Sequence, residues 1–112
     1  MASNPLLMAF TNCGSREEAD RIAHWLVEQE LAACVNILPA VQSVYRWQGK
    51  LEQAEEVTLL IKTSARQLET IKTALPEQHS YELPELCAVE IRDGLPAYLN
   101  WVHENLSDDI TP

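Results

Sequence analysis

Residues 33–61 read ACVNILPAVQSVYRWQGKLEQAEEVTLLI, and this stretch decides the fold. Residues 33–38 and 57–61 are short apolar runs of the kind that form strands. Pro39 interrupts the first run, which predicts a bend or bulge at a sheet edge, because proline donates nothing to a ladder. Beyond it Val41, Ser43, Tyr45 and Trp47 alternate with Gln42, Val44, Arg46 and Gln48, the period of a strand. Gly49-Lys50 marks the reversal, and the acidic group Glu52, Glu55 and Glu56 reads as a solvated tip. The segment is therefore a long hairpin that overhangs a sheet built from shorter strands.

Working outward from it, residues 6–10 form a continuous apolar run and predict a central strand, followed by the turn-like Thr11-Asn12-Cys13-Gly14. Ser15 and Glu18 make a capping-box pattern for a helix running to about Glu30, with Ala19, Ile22, Ala23 and Leu26 on one face. On the other side, Ser64 and Gln67 repeat the capping pattern, Leu68, Ile71 and Leu75 form the stripe of a second helix, and Pro76 closes it. Residues 77–85 connect to a fourth strand over 86–91. Pro96 opens a third helix carrying Leu95, Tyr98, Leu99, Val102 and Leu106 on one face, and residues 107–112 read as a frayed acidic tail. The order βαββαβ with an extra C-terminal helix predicts an α+β, ferredoxin-like split-βαβ fold, one domain over residues 1–112. Right-handed crossovers put both long helices on one face of a four-stranded antiparallel sheet. The strands are nevertheless apolar on both alternations, as at Leu59 and Leu60, so a further subunit is expected to cover the second face.

The 112 residues carry a net charge of −9, with 8 basic side chains scattered among 17 acidic ones. That balance excludes nucleic acid and anionic membrane surfaces as partners, since both demand clustered Lys and Arg. An apolar content of 46% excludes a disordered chain. Cys13, Cys34 and Cys87 form neither an even set nor a Cys-x-x-Cys pair, and the N-terminal apolar run is too short for a signal peptide or membrane span. A reduced, cytoplasmic protein is the expectation.

Two groups carry potential chemistry. His79 and Glu85 sit on one connector and pair imidazole with carboxylate, competent ligands for Cu(II) or another divalent cation. Tyr45, Trp47 and Lys50 on the hairpin, with Tyr81 on the connector, are candidates for an interface or a cleft between subunits, where Lys50 would attract an anionic ligand. Nucleophile elbow, phosphate loop, His-Glu-x-x-His helix and paired-cysteine zinc motif are all missing from the sequence, so no enzyme and no organic cofactor is expected.

Five segments also resemble one family. They are Leu31-Ala32-Ala33-Cys34-Val35-Asn36-Ile37, Tyr45-Arg46-Trp47-Gln48-Gly49-Lys50-Leu51, Ile61-Lys62-Thr63, Tyr81-Glu82-Leu83-Pro84-Glu85-Leu86 and Tyr98-Leu99-Asn100-Trp101. In order and spacing they are similar to the CutA divalent-cation tolerance proteins. The resemblance implies a homotrimer of ferredoxin-like subunits and a role in tolerance of copper and other divalent cations. It also implies a copper site made from a first-strand cysteine with a histidine and a glutamate of the connector. His79 and Glu85 match the latter two, whereas Phe10 stands in the cysteine position and has no ligand atom. The family's likeness to nitrogen-regulatory signalling proteins supplies the alternative, a trimeric sensor holding an anionic metabolite between subunits.

Overall fold

The structure is a computed structural model that describes residues 4–107; the expected tail beyond Ser107 lies outside the described residues. Strand β1 (Leu6–Cys13) leads through Ser15 into helix α1 (Arg16–Glu28). The hairpin follows as β2 (Cys34–Trp47) and β3 (Lys50–Ser64), then α2 (Ala65–Gln78), β4 (Cys87–Glu90) and α3 (Pro96–Glu104). One antiparallel sheet has the order β2-β3-β1-β4, the arrangement of a split-βαβ, ferredoxin-like fold.

The hairpin reverses through Gln48 (φ 50°) and Gly49 (φ 82°), with Trp47 paired to Lys50. Two successive positive φ values match the right-handed twist of the flanking strands, and Gly49 adopts its value without a Cβ penalty. Fourteen residues of β2 span roughly 46 Å at about 3.3 Å per residue, close to the molecule's longest extent of 47 Å. Its register shifts between Leu38 and Val41, where Ala40 has φ 59°, so the bulge falls beside Pro39 on an edge strand. Before the bulge, Val35 and Ile37 pair with Ile61 and Leu59; after it, Val41, Ser43, Tyr45 and Trp47 pair with Glu56, Ala54, Glu52 and Lys50. Directly paired residues share a face, so the single extra residue moves the odd-numbered side chains of β2 to the other face.

Helices α1 and α2 cover one face. Ala19, Ile22, Ala23 and Leu26 of α1 and Ile71 and Leu75 of α2 pack on Ala9, Cys13, Val57, Leu59 and Ile61. Val102 of α3 and Leu106 just after it close one end of the sheet against Leu6, Ala33 and Ile91. On the second face, Phe10 pairs with Leu60 on one side and Cys87 on the other, and Met8 with Val89. These residues are half-buried or exposed, and Val89 is 55% accessible.

Four local expectations change. β1 runs three residues further, to Cys13, because Asn12 and Cys13 continue the pairing with Thr58 and Val57. Helix α2 does not stop at Pro76 but contains it and continues to Gln78; in a final turn, proline removes only one hydrogen bond. Ser64 and Gln67 bond each other through their side chains and not the helix backbone. The Ser15 cap forms on one side alone: its Oγ accepts from the Glu18 N–H at 3.1 Å, while the Glu18 carboxylate turns elsewhere.

Candidate functional site

The Glu18 carboxylate turns inward because the C-terminal end of β1 and the chain leaving α2 both arrive at the first turn of α1. Its Oε2 accepts the Ser80 N–H at 2.6 Å and its Oε1 the Gly14 N–H at 3.4 Å. His79 caps α2 and donates from Nε2 to the Asn12 carbonyl at 2.8 Å, leaving Nδ1 to accept the Tyr81 N–H at 3.2 Å. Cys13 extends from the same end of β1 toward the helices and is fully buried. The ligand atoms of Cys13, Glu18 and His79 all lie within 4.8 Å of one another, and Glu18 and His79 are each only 8% exposed. No other such trio occurs among the described residues.

Electrostatics divide the trio. Burial, then the nearby Glu18 carboxylate, push the Cys13 thiol up to about 11, so it is protonated at neutral pH. Burial also pushes Glu18 upward, but the Ser80 hydrogen bonds, with His79 and Gly14, more than offset it and hold the carboxyl below its ordinary value. With the Cys13 proton released and one His79 hydrogen bond given up, thiolate, imidazole and carboxylate would form a donor set suited to borderline ions such as Zn(II) and Cu(II). A bound dication would reverse the local charge balance and favour release of the Cys13 proton.

A second feature lies beside it. A cleft of about 600 Å³ separates the outer half of the hairpin from the connector after α2. Tyr45 and Trp47 line it because the bulge has turned them to the open face, and Tyr81 closes it from the connector. The Tyr81 hydroxyl donates to Glu56 Oε2 at 2.8 Å; burial and that carboxylate push the phenol far above its ordinary range. Tyr81 also packs over Gly14, where a Cβ would sit 3.1 Å from its hydroxyl oxygen. Glu85 lines the same cleft and accepts from Asn12 Nδ2 at 3.1 Å, while Asn12 Oδ1 accepts from the Thr58 hydroxyl at 2.6 Å.

The structure thus gathers Tyr45, Trp47 and Tyr81 around one cleft, with Glu85 beside them, while Lys50 remains at the hairpin turn outside the lining. His79 and Glu85 attach to the same residue, Asn12, but at its carbonyl and side chain respectively, and Glu85 is not one of the converging trio. Phe10 occupies the open face between Leu60 and Cys87. Sequence reasoning missed Cys13 and Glu18 as neighbours of His79, because a capping glutamate and a turn cysteine have ordinary local explanations. It also placed Glu56 on a solvated tip, whereas Glu56 is 8% exposed and lies beside the bulge, opposite Val41.

Fold and site define a small ferredoxin-like α+β protein that brings metal-ligand side chains together at the end of β1, on the helix-covered side of its sheet. Its family is CutA: the model for the CutA1 divalent ion tolerance protein matches residues 7–105, and the chain belongs to that family. It is 44% identical over 91 residues to the divalent-cation tolerance protein CutA of Thermus thermophilus, covering 81% of this chain and 88% of that protein. Protein CutA of Mus musculus is 40% identical over 96 residues, covering 86% of this chain; the chain spans only 54% of that relative's length. Among solved structures, the divalent cation tolerance protein from Thermus thermophilus superposes with a TM-score of 0.89 at 39% identity, over 91% of this chain and 99% of that one. CutA from Xylella fastidiosa gives 0.88 at 42% identity, over 92% and 99%.

Proposed function

We propose that this chain acts in divalent-cation tolerance by binding the cation, copper among the candidates, as a cytoplasmic homotrimer and without catalysis. The observation that carries the reading is the buried convergence of Cys13, Glu18 and His79. Trimer formation is supported by the row Leu60, Phe10 and Cys87, with Met8 and Val89, on the sheet face that helices α1 and α2 do not cover. Three unpaired cysteines are in keeping with a reducing compartment. The anionic-metabolite alternative loses support, since Glu56, Glu82 and Glu85 line the cleft and Lys50 does not.

Calorimetry with Zn(II) and Cu(II) on the wild type, Cys13→Ser and His79→Ala tests the metal reading. Each substitution is expected to weaken binding by roughly tenfold or more. Because the Cys13 thiol lies near 11, one proton leaves per ion bound, and affinity should rise about tenfold per pH unit through the neutral range. Equal affinity in all three proteins overturns the site. Light scattering tests the assembly: three times the 12.6 kDa chain mass is expected, and a monomer overturns it.

A further inference from the structure

The two polar partners of His79 decide which of its ring nitrogens is free to hold a cation. The Asn12 carbonyl can only accept, so Nε2 carries the ring proton and donates it at 2.8 Å. The Tyr81 N–H can only donate, so Nδ1 is the bare nitrogen and accepts at 3.2 Å. An imidazole nitrogen has a single lone pair, and the Tyr81 amide occupies it. Glu18 differs, because its Oε2 has a further lone pair beyond the one given to the Ser80 N–H at 2.6 Å. Glu18 can therefore ligate with the connector still pinned at Ser80, whereas His79 can ligate only when a partner leaves.

Of the two partners, the Tyr81 amide is the one whose departure suits ligation. A metal-bound histidine is oriented, and made a better donor, when its other ring N–H rests on a backbone carbonyl. That bond to Asn12 already exists, and it is the shorter of the two. Ligation through Nε2 would forfeit it and leave the Asn12 carbonyl unpaired. Tyr81, in turn, is held in place by more than its amide. Its hydroxyl donates to Glu56 Oε2 at 2.8 Å, and its ring lies beside the imidazole with centroids 5.0 Å apart. The same ring covers Gly14, where a Cβ would sit 3.1 Å from the hydroxyl oxygen. We infer that Tyr81 is a latch on the cation site: His79 ligates through Nδ1, keeps Nε2–H on the Asn12 carbonyl, and the connector releases at Tyr81 as the cation enters. The inference rests on the metal reading of Cys13, Glu18 and His79, and makes Tyr81 a positioning residue that sets the affinity. Apparent affinity falls with the fraction of molecules whose connector is open, so loosening the latch tightens binding.

The test titrates the intact protein with Zn(II) and follows the imidazole nitrogens by NMR, with His79 assigned by its loss in His79→Ala. The Nδ1 resonance is expected to move to the metal-bound position while Nε2 keeps its proton. Hydrogen exchange at the Tyr81 amide should quicken roughly tenfold at saturating Zn(II), while the Ser80 amide stays protected. Tyr81→Phe keeps the ring and the charge balance and removes only the bond to Glu56; calorimetry should show Zn(II) bound about fivefold more tightly. Gly14→Ala keeps its N–H for Glu18 and crowds the Tyr81 ring, and so supplies the same readout should Tyr81→Phe not fold. Glu69→Gln, on the exposed surface of α2, should change nothing. Zinc on Nε2, or unchanged exchange at Tyr81 in the saturated protein, overturns the latch and leaves the site standing. Equal or weaker Zn(II) affinity in both Tyr81→Phe and Gly14→Ala overturns the latch as well. No saturable binding in the wild type overturns the site and the latch together.

Discussion

The two faces of β1 and β3 contrast residue by residue. Ala9, Leu59 and Ile61, which point toward α1 and α2, are at 0% exposure. Phe10 and Leu60, their immediate neighbours along the same strands, pair on the other face and stay partly open, beside an exposed Cys87. Both faces are apolar, so hydrophobic pattern alone does not distinguish the core of one chain from a surface awaiting another. The difference is made by topology: right-handed crossovers send both long helices to one side. A strand with apolar residues on both alternations, and a fold with helices for one, therefore carries information about assembly.

Phe10→Asp should break that contrast most severely. A carboxylate in the middle of the apolar row is expected to reduce the particle mass by light scattering from three chains to one while far-UV circular dichroism stays native. An undiminished mass would mean that the open face is not the interface. Ile61→Ala probes the covered face and should cost about 2–5 kcal/mol in urea unfolding, through lost burial and the cavity left behind. Its effect on folding should persist at every protein concentration, whereas stability lent by the open face should grow with concentration.

Glu18→Gln acts at the junction of β1, α1 and the connector and should cost about 1–3 kcal/mol, since charge-assisted bonds to buried backbone N–H groups are lost or weakened. Because the folded carboxyl lies below its ordinary 4.5, its contribution is complete above that value and is lost as pH falls through the lower, folded one. Thermal melts from pH 7 to pH 3 should accordingly fall less steeply in Glu18→Gln than in the wild type. The smallest effect is expected at the bulge: Ala40→Gly relieves a positive φ but adds chain entropy to the unfolded state, a net gain of about 0.5 kcal/mol. A loss there would show that the Ala40 methyl makes a stabilising contact.

The fold was legible because its signals are local or periodic. Ser15 capped the helix it was expected to cap, Pro39 marked the bulge, and the alternation beyond Val41 placed Tyr45 and Trp47 together on one face. What escaped was three-dimensional convergence. Glu18 lies 62 residues from the Ser80 amide it accepts, and His79 lies 67 from the Asn12 carbonyl; no spacing rule links such pairs. Glu56 misled for another reason. Its neighbours Glu52 and Glu55 suggest a solvated tip, but the bulge and Tyr81 enclose the third acid of the series.

The bulge at Pro39 and Ala40 also sets how freely the two halves of the hairpin can change. Inside it, β2 answers to the core through Val35 and Ile37; outside it, the same alternation answers to the cleft through Tyr45 and Trp47. The extra residue works as a phase inverter, separating one inheritance of constraints from another along a single strand. Substitutions beyond Val41 can retune what the cleft accepts without disturbing the helices. Deleting one residue at the bulge would leave a hairpin able to pair, yet turn Tyr45 and Trp47 to the opposite side of the sheet.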